Sequence, residues 1–231
     1  MHCGLVLVSR SIDIEGVLPY LKVMAAKSSR TQAERSETMR ARILDATIAS
    51  LAQHGYGATT TLMVQKIAGL SRGAMLHHFP TKADLILGTM ERIVDLNHEF
   101  FQPRLMEIPD PLQRFLSLID ARWDLAKQPH GVAQAEIMVG ARSDELVRER
   151  YPEVLERMRP KQARRLQAWA SDAGLLLDER DQAVSRAIVY ALRGMAIEVQ
   201  IDPTIETESV LGVLRDLRRN TLGDRIKPFA R

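Results

Sequence analysis

The residues whose types and spacing could do chemistry lie in one short segment, SRGAMLHHF, which begins at Ser71. It offers a hydroxyl, a guanidinium at Arg72 and two adjacent imidazoles. The surrounding run, residues 55–82, holds three cationic side chains and no acidic one, whereas residues 83–110 hold six acids and two arginines. A polyanion is therefore expected to bind the first stretch and to be repelled by the second.

This segment has the features of a helix whose N-terminal end meets DNA. Ser71 can cap the helix beside the positive end of its dipole, where a phosphate also binds well. Arg72 can reach O6 and N7 of guanine, and the methyl of Ala74 can touch a thymine methyl. Gly73 leaves room for the groove, a reason for a residue that otherwise costs a helix about 0.5 to 1 kcal/mol. Taken singly, an arginine such as Arg72 is more often a solvated surface residue, and a glycine such as Gly73 can simply mark a loop.

Other chemistries have little support in the sequence. His77 and His78 have no carboxylate or cysteine at ligand spacing within their segment, so no metal site is expected there. There is no Ser/His/Asp arrangement, no GxGxxG or GxxxxGK loop and no HExxH pair. Glu136 and Glu145 are interpreted as solvated. We therefore expect neither an enzyme nor a bound cofactor.

Composition favours an all-α protein. The 231 residues are 45% apolar, 26% charged and 5% aromatic, and they are rich in helix-forming residues. The single cysteine, Cys3, excludes an internal disulfide and fits a reducing cytoplasm. No apolar run approaches the length of a membrane span. Residues 1–35 are interpreted as a disordered extension or the product of an upstream start codon, with Met24 as a candidate start.

The pattern of apolar and capping residues predicts four helices in the first half of the chain. The first runs from Ser36 to His54. The second is capped by Thr60 or Thr61 and is stopped by Gly69. The third begins after Ser71, and the fourth follows a capping box at Thr81 and runs to about Phe101. Further helical segments are predicted at 112–128, 131–142, 144–173, 179–201 and 205–221.

Residues 40 to 85, RARILDATIASLAQHGYGATT…VQKIAGLSRGAMLHHFPTKADL, resemble the DNA-binding domain of the tetracycline-repressor (TetR) family of bacterial transcription regulators. The resemblance implies a helix-turn-helix domain at 36–82, a helical effector-binding and dimerisation domain at 83–222, and a tail at 223–231. It implies double-stranded, near-palindromic operator DNA as a partner, a homodimer, and a small-molecule effector.

Carried over by position, the resemblance assigns DNA contacts to one set of residues. Phe79 is expected to anchor the recognition helix in its core. The family commonly has Tyr at the position of Leu76, so one usual phosphate contact is missing there. His77 is expected to make that contact instead. Gln65 replaces a usual Ala and is either a surface variation or an added polar contact. The assigned DNA contacts are Thr60, Thr61, Ser71, Arg72, Gly73, Ala74, Leu76, His77, His78 and Lys82.

The effector pocket and the dimer interface are assigned to the larger domain. Apolar residues at helical spacing also fill ordinary cores, and a strip of small residues such as Ala183, Ala187, Ala191 and Gly194 is either core or interface. The candidate pocket residues are His98, Phe101, Phe115, Trp123, Met138, Met158 and Trp169. Val210, Leu214 and Leu217 complete the candidate interface. Because few polar groups are expected to face the pocket, an apolar or aromatic effector is favoured.

These interpretations make the chain a sequence-specific transcriptional regulator, expected to be a repressor released from its operator by an apolar effector. One alternative remains open, a DNA-binding regulator that has no small-molecule effector. The two differ in whether any compound stabilises the folded protein.

Overall fold

The computed structural model describes residues 32–225, with the backbone alone at Asp224, and these residues form helices and no strand. The all-α prediction is confirmed. The predicted extension up to residue 31, including Cys3 and Met24, and the tail from 226 lie outside the described residues. By its contacts the chain divides into two units between Thr38 and Met39. Residues 32–38 form the first turns of α1. The contacts between helices described in this section are those of residues 39–225.

The helices follow one another with short connections. The first helix starts at Gln32, four residues before the predicted start, and continues to Ala58 across a break at Gly55, where φ is 78°. A single 3₁₀ turn, Gly223–Arg225, follows the last helix. The helices are α1 Gln32–Ala58, α2 Thr61–Ala68, α3 Arg72–His78, α4 Lys82–Met106, α5 Pro111–Leu116, α6 Leu118–Ala126, α7 Pro129–Gly140, α8 Glu145–Asp172, α9 Glu179–Ile201 and α10 Glu208–Leu222.

The predicted caps of α2, α3 and α4 are present. Thr60 Oγ1 accepts from the amide of Met63, and Ser71 Oγ accepts from the amide of Ala74. Thr81 forms a reciprocal capping box with the third residue of α4. Gly69 ends α2 with φ 63° and ψ 43°, a left-handed conformation that strongly favours glycine. These local signals fix the tight turn between α2 and α3.

Two helix limits differ from the sequence prediction. α4 continues past Phe101 to Met106, with Pro103 inside it. Proline removes one backbone donor, the one that would bond the carbonyl of Glu99, yet the helix continues past it. Next to the proline, Arg104 donates to the carbonyl of Phe100 at 3.1 Å and lies over its ring. The predicted helix at 112–128 is two helices, α5 and α6, which meet at Ser117.

Three helices of the first half share one small core. α1 contributes Ile43 and Leu44, α2 contributes Val64, and α3 contributes Met75 and Phe79. All five side chains are buried. The predicted anchoring role of Phe79 is therefore confirmed, because it fixes the end of α3 against α1.

The rest of residues 39–225 is a layered helical bundle. α4 packs against α6, α7 and α8, and α9 packs against α6 and α10. No helix within residues 32–225 is long and apolar enough to cross a membrane. α4 thus reaches from the core of the first three helices into the bundle, where its second half lines a cavity.

Candidate nucleic-acid interface and ligand cavity

The N-terminal end of α3 is exposed along one face. Ser71, Arg72 and Gly73 are exposed and Ala74 is half-buried, whereas Met75 turns inward. Short side chains and a guanidinium therefore face solvent at the N-terminal end of the helix. This is the arrangement that reading a DNA groove requires.

Gly73 is not required by the fold of α3. Its backbone is helical, and a Cβ added to it would meet no atom within 4 Å. The open space lies on the same exposed helix face as Arg72. Glycine at this position therefore keeps the helix surface free of a side chain, although a side chain would contact no other part of the protein.

The two predicted threonines differ in their surroundings. Thr60 is exposed and caps α2, so the alternative cap, Thr61, is excluded from that role by the structure. Thr61 is half-buried as the first residue of α2. Leu76, where the family commonly has Tyr, is 44% exposed on α3. A phosphate contact by these residues stays a prediction.

The histidines and Lys82 lie at the C-terminal end of α3 and the start of α4. The rings of His77 and His78 meet edge to face, with centroids 5.2 Å apart. Burial, then the charges of His77 and Arg40, lower the pKa of His78 below its ordinary value. The Lys82 Nζ donates to the carbonyl of Tyr56 at 3.3 Å and lies 4.5 Å from the centre of its ring.

Tyr56 joins the end of α1 to α7 and to the start of α8. Its amide donates to Glu136 Oε2 at 2.8 Å, and its hydroxyl donates to Asp144 Oδ2 at 2.9 Å. Burial, then the bond to Asp144, raise the pKa of the phenol. A Cβ at Gly140 would overlap the tyrosine ring, so glycine is needed for this close approach. Glu136 is therefore a structural acceptor, and its interpretation as a solvated side chain is wrong.

A cavity of about 170 Å³ lies between α4, α6, α7, α8 and α9. Three of the seven predicted pocket residues, His98, Phe101 and Trp169, line it. The other four were assigned wrongly. Phe115, Trp123 and Met158 are packed in the interior away from the cavity, and Met138 is exposed on α7.

Helix rotation explains the error at Trp123. Leu118, Arg122 and Leu125 lie on the face of α6 that lines the cavity. Ile119 and Trp123 each follow one of these residues in sequence, so they lie on a different face of the helix, which packs against α9. The aromatic side chain was the stronger sequence signal, but its neighbour faces the cavity.

The cavity lining is more polar than expected. Sequence reasoning missed the three arginines that line it, Arg122, Arg165 and Arg193, and the amides of Asn97, Gln134 and Gln162. The expectation of few polar groups facing the pocket is wrong, because these polar side chains line it from five different helices. The available signal was spacing, since Arg122 follows Leu118 by four residues and precedes Leu125 by three.

An exposed face of small and apolar residues runs along α9 and α10. Ala183, Ala187 and Gly194 are exposed, and Ala191 is half-buried. Val210 and Leu217 are 41% and 38% exposed on α10. Leu214 is wrongly assigned to this face, because it turns inward and packs with Ile119 and Leu211. The face also includes four residues that were not predicted, Tyr190, Ile197, Ile201 and Val213.

Comparisons with known proteins agree with this description. The family model described as bacterial regulatory proteins, tetR family, matches residues 43–89. An uncharacterized HTH-type transcriptional regulator of Mycobacterium tuberculosis is 31% identical over 127 residues, which are 55% of this chain and 65% of that protein. The HTH-type transcriptional regulator CymR of Pseudomonas putida is 30% identical over 130 residues, 56% of this chain and 64% of its own. The chain thus spans just under two thirds of the length of these relatives.

Solved structures share the fold over most of the chain. A transcriptional regulator from a Rhodococcus species has a TM-score of 0.61 and 19% identity, covering 82% of this chain and 99% of that one. The multidrug binding protein EbrR, complexed with imidazole, has a TM-score of 0.54 and 21% identity, covering 84% and 97%. These relatives are described as regulators and binding proteins rather than enzymes. Residues 43–89 thus match the model of the tetR family of bacterial regulatory proteins, and the chain as a whole shares the helical fold of these solved structures.

Proposed function

We propose that the protein is a homodimeric transcriptional repressor that binds near-palindromic operator DNA and leaves it when a small molecule enters the cavity. The observation that carries this proposal is the exposed N-terminal face of α3, fixed to a three-helix core by Met75 and Phe79. Arg72 projects from that face within a run of 28 residues that contains no acid.

The residues of this face have separate roles in the proposal. Arg72 reads a guanine edge in the major groove, and Ala74 contacts a thymine methyl. Gly73 allows the helix backbone to approach the groove. Ser71, the two histidines and the exposed Thr60 bind phosphate oxygens, which set the position of the helix without reading sequence. Lys82 adds a cation at the start of α4.

Dimerisation is supported by the apolar face of α9 and α10. Ala183, Ala187 and Gly194 follow one another at intervals of four and seven residues, so they lie on one side of α9. Gly194 has open space where a Cβ would point. A large exposed apolar face is costly in water unless a partner covers it, and two antiparallel helices of a second copy fit it. A twofold dimer reads a twofold operator.

Release of DNA by an effector is supported by two helices that belong to both sites. α4 packs Leu85 into the core of the DNA-binding helices and lines the cavity with Asn97 and Phe101. α7 lines the cavity with Gln134 and holds Tyr56 through Glu136. A molecule that shifts either helix changes the position of α1 to α3. It does so only if it binds the two arrangements with different affinity.

Footprinting of the purified full chain on the DNA that flanks its own gene, repeated across a salt series, tests the proposal. We expect a protected near-palindrome whose affinity falls steeply with salt, as phosphate contacts require. Weak protection of every sequence alike would contradict sequence-specific binding. A compound screen in which nothing stabilised a protein that binds its operator would favour a regulator without an effector.

A further inference from the structure

The charges that line the cavity are all of one sign. No aspartate or glutamate is among the described residues that line it, whereas Arg122, Arg165 and Arg193 reach it from α6, α8 and α9. Arg165 is neutralised in part, because it lies 3.4 Å from Asp95 Oδ1 and donates to the carbonyl of Val94. The excess positive charge in the cavity therefore comes from Arg122 and Arg193.

Arg122 is a half-buried cation with one guanidinium nitrogen that has no hydrogen-bond partner. Its Nη1 is inaccessible to solvent and makes no hydrogen bond within the described part of the chain. Burial, then the charges of Arg218 and Arg193, lower the pKa of Arg122 to about 10, so the side chain is still a cation at neutral pH. A buried guanidinium nitrogen without a hydrogen-bond partner is costly, and no carboxylate between residues 32 and 225 pairs with Arg122. An anion entering the cavity would remove that cost.

The remainder of the cavity suits an apolar body. Phe101, Leu118, Leu125, Leu166 and Trp169 form its walls. Its volume of about 170 Å³ is close to that of an engineered protein cavity of about 150 Å³ that binds benzene. The space therefore fits one ring, or a short alkyl chain, together with a single small charged group.

We propose that the effector is an organic carboxylate with a small apolar body, whose carboxylate binds Arg122 and whose apolar part packs against Trp169 and Leu118. A guanidinium and a carboxylate form paired charge-assisted hydrogen bonds, the strong form of this interaction. Arg193 adds to the attraction from the opposite helix. The inference rests on the proposed use of this cavity for an effector, and it replaces the apolar effector that the sequence favoured.

The test is calorimetric titration at pH 7.5 with four acids and their amides: benzoate, phenylacetate, 3-phenylpropanoate and hexanoate. Acid and amide have nearly equal size, so the comparison isolates the charge. We expect at least one acid to bind at least about tenfold more tightly than its amide, since hydrogen bonds to charged groups are among the strongest in proteins. Amides that bind as well as the acids, or four acids that do not bind, would overturn the proposal.

Three variants locate the charge that is responsible. Arg122→Gln should remove the preference for acid over amide, and Arg122→Lys should keep part of it. Arg164→Gln is the matched control, because Arg164 is exposed beside Arg165 and does not line the cavity. It should leave the preference unchanged. A preference that survives in Arg122→Gln would overturn the assignment.

Operator binding is measured on the same samples to separate the two proposals. A protein that protects its operator while none of the acids binds keeps its role as a regulator and refutes the anionic effector. A protein that binds acids through Arg122 but protects no DNA refutes the regulator and keeps the site.

Discussion

The backbone amide of Tyr56 donates a hydrogen bond to Glu136 Oε2 at 2.8 Å, joining the end of α1 to α7. The two residues before Glu136, Gln134 and Ala135, line the cavity. The bond therefore connects the helices proposed to bind DNA with the helices proposed to bind the effector. Two ion pairs join α8 to the first half of α4, Arg150 with Asp84 at 2.8 Å and Arg157 with Glu91 at 2.7 Å.

Removal of the acceptor at Glu136 should destabilise the protein. In Glu136→Ala the part-buried amide of Tyr56 loses its partner, and we expect the free energy of unfolding to fall by about 1 to 2 kcal/mol. Urea denaturation measures it. Glu149→Ala is the control, since Glu149 is exposed on α8, and it should change stability by less than about 0.5 kcal/mol. Equal losses in both variants would argue against the connection.

A substitution at Gly73 should affect folding stability and DNA binding in opposite directions. Gly73→Ala should raise the free energy of unfolding by about 0.5 to 1 kcal/mol, because alanine favours a helix and its Cβ meets no atom. The same methyl should weaken operator binding, because it fills the space where α3 approaches the groove. Unfolding and DNA titration are measured on one sample. A more stable variant with unchanged operator affinity would contradict the close approach.

Protonation of His78 should couple DNA binding to pH. Burial lowers its pKa in the free protein, and a nearby phosphate would raise that pKa again. DNA binding then takes up a proton, so operator affinity should rise as the pH falls below 6.5. The same lowered pKa means that the free protein loses stability as the pH falls through that range. His78→Gln should show a flatter pH profile of binding, and an unchanged profile would exclude His78 from the phosphate contact.

A charge on the apolar face of α9 should separate the subunits. Ala187→Glu places a carboxylate opposite its own copy in a twofold interface, where burial and like charge both oppose association. Sedimentation velocity should show a monomer. Gln200→Glu is the control, because Gln200 is exposed on another side of α9. A dimer that persists in Ala187→Glu would move the interface elsewhere.

Sequence reasoning succeeded where the signal is local. The caps at Ser71 and Thr81, the left-handed Gly69 and the anchor Phe79 each depend on a few neighbouring residues. Such signals were enough to predict where α2 and α3 begin and end. The continuation of α4 past Pro103 was missed, because proline usually interrupts a helix and the local sequence does not show that this helix tolerates it.

The cavity could not be predicted from residue types alone. Trp123 and Met158 are apolar residues at helical spacing, and the pattern that makes them cavity candidates also makes them core residues. Which side of α6 faces the cavity depends on packing between distant helices. From the sequence Arg122 is one charged residue among many, whereas the fold turns it toward the cavity and leaves its Nη1 buried without a hydrogen-bond partner.

The measurement that tests the central claim most directly compares Arg72→Ala with Lys82→Ala on the operator and on single-base variants of it, across a salt series. Arg72→Ala should cost about 1 to 3 kcal/mol of binding free energy and relax the preference at one base pair of each half-site. Lys82→Ala should weaken all sequences alike and reduce the salt slope by about one. An Arg72→Ala protein that binds its operator as tightly and as selectively as the natural one would contradict the assignment of α3 as the recognition helix.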